Sequence, residues 1–217
     1  MEESQFCPCG CGAQLPGMVA GRERGLRDET AAAAAATLLP GPEHAGAFLI
    51  TGVPGAGKST AGRLLALHFD QSAHIDIDMV FHHFTVAGRT APEDTGPAAA
   101  RQAELAVSNA AAMARNYVTA GYVCVLEGAV ATRAQLRAGQ RALAPHPLHL
   151  VVLAPPPEVS ERRDAQRSGK QVAPYFRHLP ALLASELAGL GLWLDNGGQS
   201  LPGTVEEIWA RRAEARL

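Results

Sequence analysis

The sequence has no excess of charge of either sign and no long apolar run. Its 19 lysine and arginine residues nearly balance 21 aspartate and glutamate residues, so the formal net charge is −2. A chain without a strong basic field is poorly suited to hold a polynucleotide. No stretch reaches the roughly 18 apolar residues of a membrane helix. These absences disfavour a nucleic-acid-binding protein and a membrane protein.

The sequence also lacks a signal peptide and has few cysteines. It opens with Glu2 and Glu3 in place of a basic segment followed by an apolar core, so we expect a cytoplasmic protein. Three of the four cysteines, Cys7, Cys9 and Cys11, lie within five positions. Their thiolates could bind Zn²⁺, but zinc requires four ligands and this spacing is not that of a zinc finger. We favour a redox-active or disordered tail over a zinc site.

The first part of the chain differs in composition from the rest. Residues 21–39 include six consecutive alanines at 31–36 and are predicted to form a helix. A Pro-Gly-Pro sequence at 40–42 ends it. We therefore predict an N-terminal extension over residues 1–44 and a single folded domain over residues 45–217.

The most informative stretch matches the phosphate-loop pattern G-x-x-x-x-G-K-[ST]. It comprises Gly52, Val53, Pro54, Gly55, Ala56, Gly57, Lys58, Ser59 and Thr60. A short apolar run precedes it and an amphipathic segment follows, which is the strand–loop–helix context that the motif needs. In such loops backbone N–H groups surround the phosphates, the lysine contacts the β- and γ-phosphates, and the serine binds Mg²⁺. The motif predicts binding of ATP with Mg²⁺.

Apolar runs alternate with amphipathic segments along the domain. Strands are predicted at residues 47–51, 73–77 with Asp78 at the end, 122–126 with Glu127 at the end, 148–154 and 190–194. Further helices are predicted at residues 98–119, 131–143, 158–168, 175–188 and 204–216, the last with Thr204 and Glu207 in capping-box spacing. This alternation is typical of an α/β fold with a parallel sheet and helices on both faces.

Acidic residues follow two of the predicted strands. Because the carboxyl ends of parallel strands share one edge, we expect Asp76, Asp78 and Glu127 to lie near the phosphate loop. Asp78 or Asp76 could accept the proton of a substrate hydroxyl, although Asp78 could instead cap the following helix. Glu127 could hold the Mg²⁺ shell through water or bind the acceptor, or it could be a solvated strand end.

Three cations recur on one predicted helical face after the fourth strand. Arg163, Arg167 and Lys170 have i, i+4 and i+7 spacing. Basic segments that fold over bound phosphates are common in phosphoryl-transfer enzymes. We favour this interpretation over a solvated helix whose charges pair internally.

With these features the chain resembles the P-loop small-molecule kinases, in particular the branch of chloramphenicol phosphotransferase-like and zeta-toxin-like proteins. The resemblance rests on the phosphate loop, the Asp-closed second strand, the acidic end of the third strand and the arginine-rich segment. Residues 101–105, 109–116, 151–156 and 191–195 add to it. It covers about residues 45–207. Glu127 stands where many relatives have aspartate.

The resemblance implies a P-loop three-layer sandwich with a five-stranded sheet in the order 2-3-1-4-5. It implies that Asp78 is the base and that adenine lies between the arginine-rich segment and Asp195-Asn196. We expect an ATP-dependent kinase that phosphorylates a hydroxyl of a small molecule, such as an antibiotic, a sugar or a nucleoside-like compound. The catalytic residues would be Lys58, Asp76, Asp78, Glu127, Arg163 and Arg167. The alternatives are a nucleotide-binding regulator with little transfer and a nucleotide-sugar or polynucleotide kinase.

Overall fold

The structure, a computed structural model, describes residues 46–91, 94–166 and 176–217. The predicted N-terminal extension, with Cys7, Cys9 and Cys11, lies outside the described residues, as do Arg167 and Lys170. The strands are β1 Ala47–Gly52, β2 Ser72–Asp76, β3 Val123–Glu127, β4 Leu148–Leu153 and β5 Leu192–Leu194. The helices are α1 Lys58–Leu67, α2 Ile77–Phe84, α3 Pro97–Thr119, α4 Arg133–Leu143, α5 Pro157–Ala165, α6 Leu179–Glu186 and α7 Leu201–Ala210.

The five strands form one sheet in the order β2-β3-β1-β4-β5, and every pair is parallel. The predicted fold class and strand order are therefore confirmed. β1 lies in the middle, so the loop that follows it emerges between the ends of β3 and β4. In the register of β2 with β3, Asp76 is opposite Glu127. These two acidic residues thus end neighbouring strands at the edge where the phosphate loop begins.

Helices cover both faces of the sheet, which explains why β1, β3 and β4 are almost wholly apolar. Side chains alternate along β1. Leu49 joins a core cluster with Ala110 and Ala114 of α3, while Phe48 stacks on His149 with 5.0 Å between ring centroids. Trp209 of α7 packs on this second face. No helix among the described residues is both long and apolar enough to cross a membrane.

The second strand ends two residues earlier than the sequence predicts. Asp76 is the last residue of β2, and its side chain accepts a hydrogen bond of 3.0 Å from the N–H of Met79. Asp76 is thus the N-cap of α2. Asp78, predicted to close the strand, lies in the first turn of that helix, so the capping role considered for Asp78 belongs to Asp76.

Several other boundaries differ from the prediction. α4 begins at Arg133 and α6 spans Leu179–Glu186, in place of the predicted 131–143 and 175–188. β5 begins at Leu192 because Leu190 lies in a turn, where its N–H donates to Leu187 O at 3.0 Å. The last helix begins at Leu201, and its N-cap is Ser200, whose hydroxyl accepts from Gly203 N–H. The predicted cap at Thr204 is wrong, since its hydroxyl donates to Gln199 Oε1 from within the helix.

Candidate active site

The phosphate loop joins β1 to α1 and holds all three of its glycines at positive φ, with Gly52 at 146°. Gly55 has a φ of 78° and Gly57 a φ of 93°, which glycine adopts without steric cost. A Cβ on Gly55 would overlap the carbonyl oxygen of Ser160, so α5 packs directly against the loop. Gly57 is the N-cap of α1, and no described side chain caps that helix end. The first N–H groups of α1 therefore form the kind of anion site that phosphate loops use.

Lys58 is the first residue of α1 and is held close to the loop. Its ammonium donates a 3.1 Å hydrogen bond to the carbonyl oxygen of Val53. Its charge also acts on the carboxylates of Asp78 and Glu127. The one lysine of the motif thus lies between the loop and the acidic end of the sheet, where it can contact terminal phosphates.

Glu127 is a buried acid at the end of β3. Its side chain is 3% exposed and hydrogen-bonds to the hydroxyl of Ser59 in the phosphate loop. Burial raises the pKa of Glu127 to about 7; the Ser59 hydrogen bond and Lys58 oppose this rise, while Asp76 and Asp78 add to it. The contact with Ser59 rules out the solvated strand end that we considered for this residue.

Asp78 lies on the first turn of α2, close enough to Lys58 and Asp76 for their charges to act on it. Its side chain keeps an exposed surface, yet the surrounding protein removes part of its hydration. This desolvation, followed by the charge of Asp76, raises the pKa of Asp78, while Lys58 and His82 lower it. A carboxylate with a raised pKa is a stronger proton acceptor, as a general base requires.

The Ser59–Glu127 pair fits a magnesium site of the phosphate-loop type. The Ser59 hydroxyl is a hard oxygen donor at the start of α1, and the buried Glu127 carboxylate is aimed at it. The remaining ligands of such sites are water and phosphate oxygens, so a dense protein cage is not needed. No cluster of three or more His, Cys, Asp or Glu side chains in the described ranges could hold a metal. Cys7, Cys9 and Cys11, which we considered as zinc ligands and did not favour, lie outside those ranges.

The other end of the phosphate loop contacts the segment after β5. Asn196 is 6% exposed, and its side-chain amide donates to Ala56 O at 2.9 Å. The Arg163 guanidinium of α5 donates to Asn196 O at 3.2 Å and approaches Gly197 O at 3.5 Å. Asp195 is exposed and accepts from Gly197 N–H at 2.8 Å. These contacts bring Arg163 together with the predicted adenine segment.

A cavity of about 650 Å³ opens beside the first residues of the phosphate loop. Val53 and Pro54 form one wall, and the end of β4 with the following prolines forms another. Phe176 and Trp193 contribute aromatic rings. Sequence analysis did not find this cavity, because its walls come from four separate segments that share no motif or period.

A buried threonine fixes the loop after β3, and sequence analysis missed this as well. The Thr51 hydroxyl donates to Val130 O at 2.7 Å and accepts from Val130 N–H at 3.1 Å. The two bonds join the end of β1 to the segment that follows Glu127. Thr51 is a polar residue in an otherwise apolar strand, just before the phosphate loop. This polarity is the feature of the sequence that could have indicated its role.

A family model described as an AAA domain (AAA_33) matches residues 48–184, more than half of the chain. The chain belongs to this AAA-domain family. The match covers the phosphate loop, the three acidic residues and α5, and it ends within α6. Among curated proteins, none matches the sequence.

Solved structures with a similar fold include several P-loop kinases. A sugar kinase from Janibacter sp. HTCC2649 has 18% sequence identity and a TM-score of 0.59, over 79% of this chain and 96% of that one. The tunicamycin resistance protein of Deinococcus radiodurans has 17% identity and a TM-score of 0.57, over 80% and 98%. A gluconokinase from Sinorhizobium meliloti 1021 has 19% identity and a TM-score of 0.53, over 79% and 94%. At such identities the similarity establishes a P-loop kinase-like fold.

Proposed function

We propose that this AAA-domain protein is an ATP-dependent phosphotransferase that transfers the γ-phosphoryl group of ATP to a hydroxyl of a small molecule. The observation that carries the proposal is the meeting of Lys58, the Ser59–Glu127 pair and Asp78 at one edge of the sheet. Phosphoryl transfer needs a phosphate cradle, a metal-binding oxygen set and a group that accepts the hydroxyl proton. Solved structures of similar fold include a sugar kinase and a gluconokinase, and we propose membership in the chloramphenicol phosphotransferase-like and zeta-toxin-like branch.

Each of these residues has a separate role in the proposed reaction. The acceptor oxygen forms a bond to the γ-phosphorus as the bond to the β–γ bridging oxygen breaks, and ADP leaves with that electron pair. Asp78 takes the proton from the acceptor hydroxyl. Lys58 holds the terminal phosphates and offsets the negative charge that develops as the group moves. Ser59 and Glu127 would hold Mg²⁺, which when bound neutralises charge on the phosphate oxygens.

In this proposal the guanidinium of Arg163 adds positive charge beside the phosphates. Its guanidinium already lies between α5 and the segment after β5, where it donates to backbone carbonyls. Bonds from an arginine to phosphate are charge-assisted and stronger than those to neutral carbonyls. We propose that Arg163 and Arg167 contact the migrating phosphoryl group and that Asp195 and Asn196 contact adenine.

The test combines nucleotide binding with acceptor-dependent turnover. We expect the wild-type protein to bind Mg-ATP in calorimetric titrations and to release ADP faster when a suitable alcohol is added. Lys58→Ala should lower turnover by more than about 10³-fold and weaken Mg-ATP binding, because a terminal-phosphate partner is lost. Arg137→Ala, which removes a cation from an exposed position of α4, is the matched control. Equal affinity and turnover in Lys58→Ala and wild type would refute the proposal.

A further inference from the structure

The described residues that line the cavity beside the phosphate loop are mostly apolar. Phe176 and Trp193 supply aromatic rings, and Pro54, Pro155, Pro157 and Pro180 line it as well. Trp193 Nε1 donates to Leu190 O at 3.1 Å, so this polar atom is already used within the fold. The surface offered to an occupant is therefore mostly ring faces and aliphatic edges.

The polar side chains among the described lining residues are either hydrogen-bonded within the fold or exposed. The Ser160 hydroxyl donates to Pro157 O at 2.9 Å within α5. Glu161 and Arg177 are the charged residues among the described lining, and both are exposed. Their charges are opposite and cancel. As far as the described lining goes, an ionic group in the interior would lose hydration without an opposite charge beside it, so these residues favour a neutral occupant.

The position of the cavity separates it from the predicted adenine site. Val53 lines the cavity and its carbonyl oxygen accepts from Lys58 Nζ at 3.1 Å, so the cavity wall and the terminal-phosphate cation are in contact. Ala56, at the other end of the loop, contacts Asn196. An occupant of the cavity would thus lie against the Val53 end of the loop, whereas the segment after β5 contacts the Ala56 end.

We propose that this cavity binds the phosphoryl acceptor, and that the acceptor is a neutral alcohol whose body is an aromatic or other apolar ring. The inference rests on the proposed phosphotransferase function and specifies its substrate class. Apolar pockets of about 300–1,000 Å³ are typical of small-molecule sites. A polyol would have to bury several hydroxyls against walls that offer few hydrogen bonds, and each unsatisfied hydroxyl is costly. The ring enters the cavity and the hydroxyl remains near Lys58, where it attacks the γ-phosphorus and loses its proton to Asp78.

Binding can be measured through Trp193, because the chain has two tryptophans and the other, Trp209, packs against Phe69 on the opposite face of the sheet. Trp209→Phe leaves Trp193 as the single reporter. Titration of this variant with 3-phenyl-1-propanol should give a saturable change in Trp193 emission. Sorbitol at equal concentration should give none.

Matched variants link the signal to the cavity. Pro180 and Pro202 are each the second residue of a helix, α6 and α7, and Pro180 alone lines the cavity. In the single-tryptophan background, Pro180→Phe should weaken binding of 3-phenyl-1-propanol by at least about tenfold, while Pro202→Phe should not. Glu161→Phe, compared with Glu158→Phe on the same helix, gives a second pair if Pro180→Phe fails to fold.

Three results would overturn the inference: no saturable change, equal weakening in both members of a pair, or displacement of 3-phenyl-1-propanol by Mg-ATP. Displacement would show that the cavity holds adenine. In wild-type protein, 3-phenyl-1-propanol should raise ADP release at least about tenfold more than sorbitol or gluconate at the same concentration. The reverse preference would refute the substrate class and leave phosphotransfer intact. Failure to bind Mg-ATP in a separate titration would refute phosphotransfer itself.

Discussion

The two sides of the phosphate loop offer opposite chemistry at the same edge of one sheet. On the β2–β3 side lie Asp76, Asp78 and Glu127; Glu127 hydrogen-bonds to Ser59, and the charge of Lys58 acts on Asp78 and Glu127. On the β4–β5 side, rings and prolines line a cavity of about 650 Å³. The acidic side suits metal binding and proton transfer, which are common to phosphoryl transfer. The apolar side suits recognition of one acceptor, which differs between proteins of the same fold.

The largest effect that separates the two sides should come from Asp78. Asp78→Asn keeps the shape of the side chain and removes its basicity. We expect normal folding, near-normal Mg-ATP affinity and a kcat lower by at least about 10²-fold, because general-base help typically contributes 10²–10⁴-fold. Steady-state kinetics with a saturating alcohol measure this. A fully active variant would show that Asp78 is not the base and would leave Asp76 or Glu127 as the candidate.

The second-largest expected effect is on the free energy of unfolding, through Glu127 on the acidic side. Glu127 has a pKa of about 7 in the fold and 4.5 ordinarily. Between these values the folded protein retains a proton that the unfolded chain has lost, so the free energy of unfolding falls as pH rises. This loss of unfolding free energy is absent below the lower pKa and complete above the higher pKa. There it is on the order of 3 kcal/mol for an isolated group.

Glu127→Gln removes this loss of unfolding free energy. Without nucleotide, the variant should unfold at higher urea concentration than wild type at about pH 8, and the two should converge at about pH 4. Glu158→Gln, at an exposed position of α5, is the control and should follow the wild type. A difference that stays constant with pH would mean that Glu127 does not titrate in this range.

A smaller effect is expected from Arg163, which lies between the two sides. If its guanidinium moves from the carbonyls of Asn196 and Gly197 to the phosphoryl group, Arg163→Ala should lower kcat about tenfold with little change in Mg-ATP affinity. Arg162→Ala, at the exposed preceding residue, is the control. Weaker Mg-ATP binding with unchanged kcat would show that Arg163 only holds the nucleotide segment.

Sequence predicted the acidic side far better than the apolar side, for physical reasons. The phosphate loop is a contiguous motif whose glycines and lysine are set by the ligand, and the strand ends follow from apolar runs. The cavity depends on how α5, α6 and β5 pack after folding, and residues such as Phe176 and Trp193 are indistinguishable in sequence from core residues. Resemblance supplied the strand order, which composition and periodicity leave open.

The missed starts of α2 and α7 have a common cause, which is competition between two valid local signals. In Ile75-Asp76-Ile77-Asp78 the alternation of apolar and acidic residues fits a strand to its end, but the Asp76 side chain caps a helix that starts at Ile77. In the last helix, Ser200 and Thr204 are both favourable caps. Ser200 prevails, with Pro202 in the first turn, where proline is tolerated.

The smallest expected effect distinguishes Asp76 from Asp78 within the acidic side. Asp76 Oδ1 accepts from Met79 N–H at 3.0 Å, so Asp76→Ala should lower the free energy of unfolding by about 1 kcal/mol, the usual cost of losing an N-cap. Asp76→Asn should retain the cap and most of the stability. Asp78 lies inside the helix, where alanine is a good helix former, so Asp78→Ala should lose only a few tenths of a kcal/mol from the helix dipole.

The kinetic pattern should be the reverse of the stability pattern. Because Asp76 holds the first turn of α2, Asp76→Asn should preserve the position of Asp78 and most of kcat, whereas Asp78→Asn should not. Urea unfolding and steady-state kinetics on the same four variants give both patterns. If Asp76→Asn lost as much kcat as Asp78→Asn, the two carboxylates would act together on the acceptor proton, and the cap would not be the main role of Asp76.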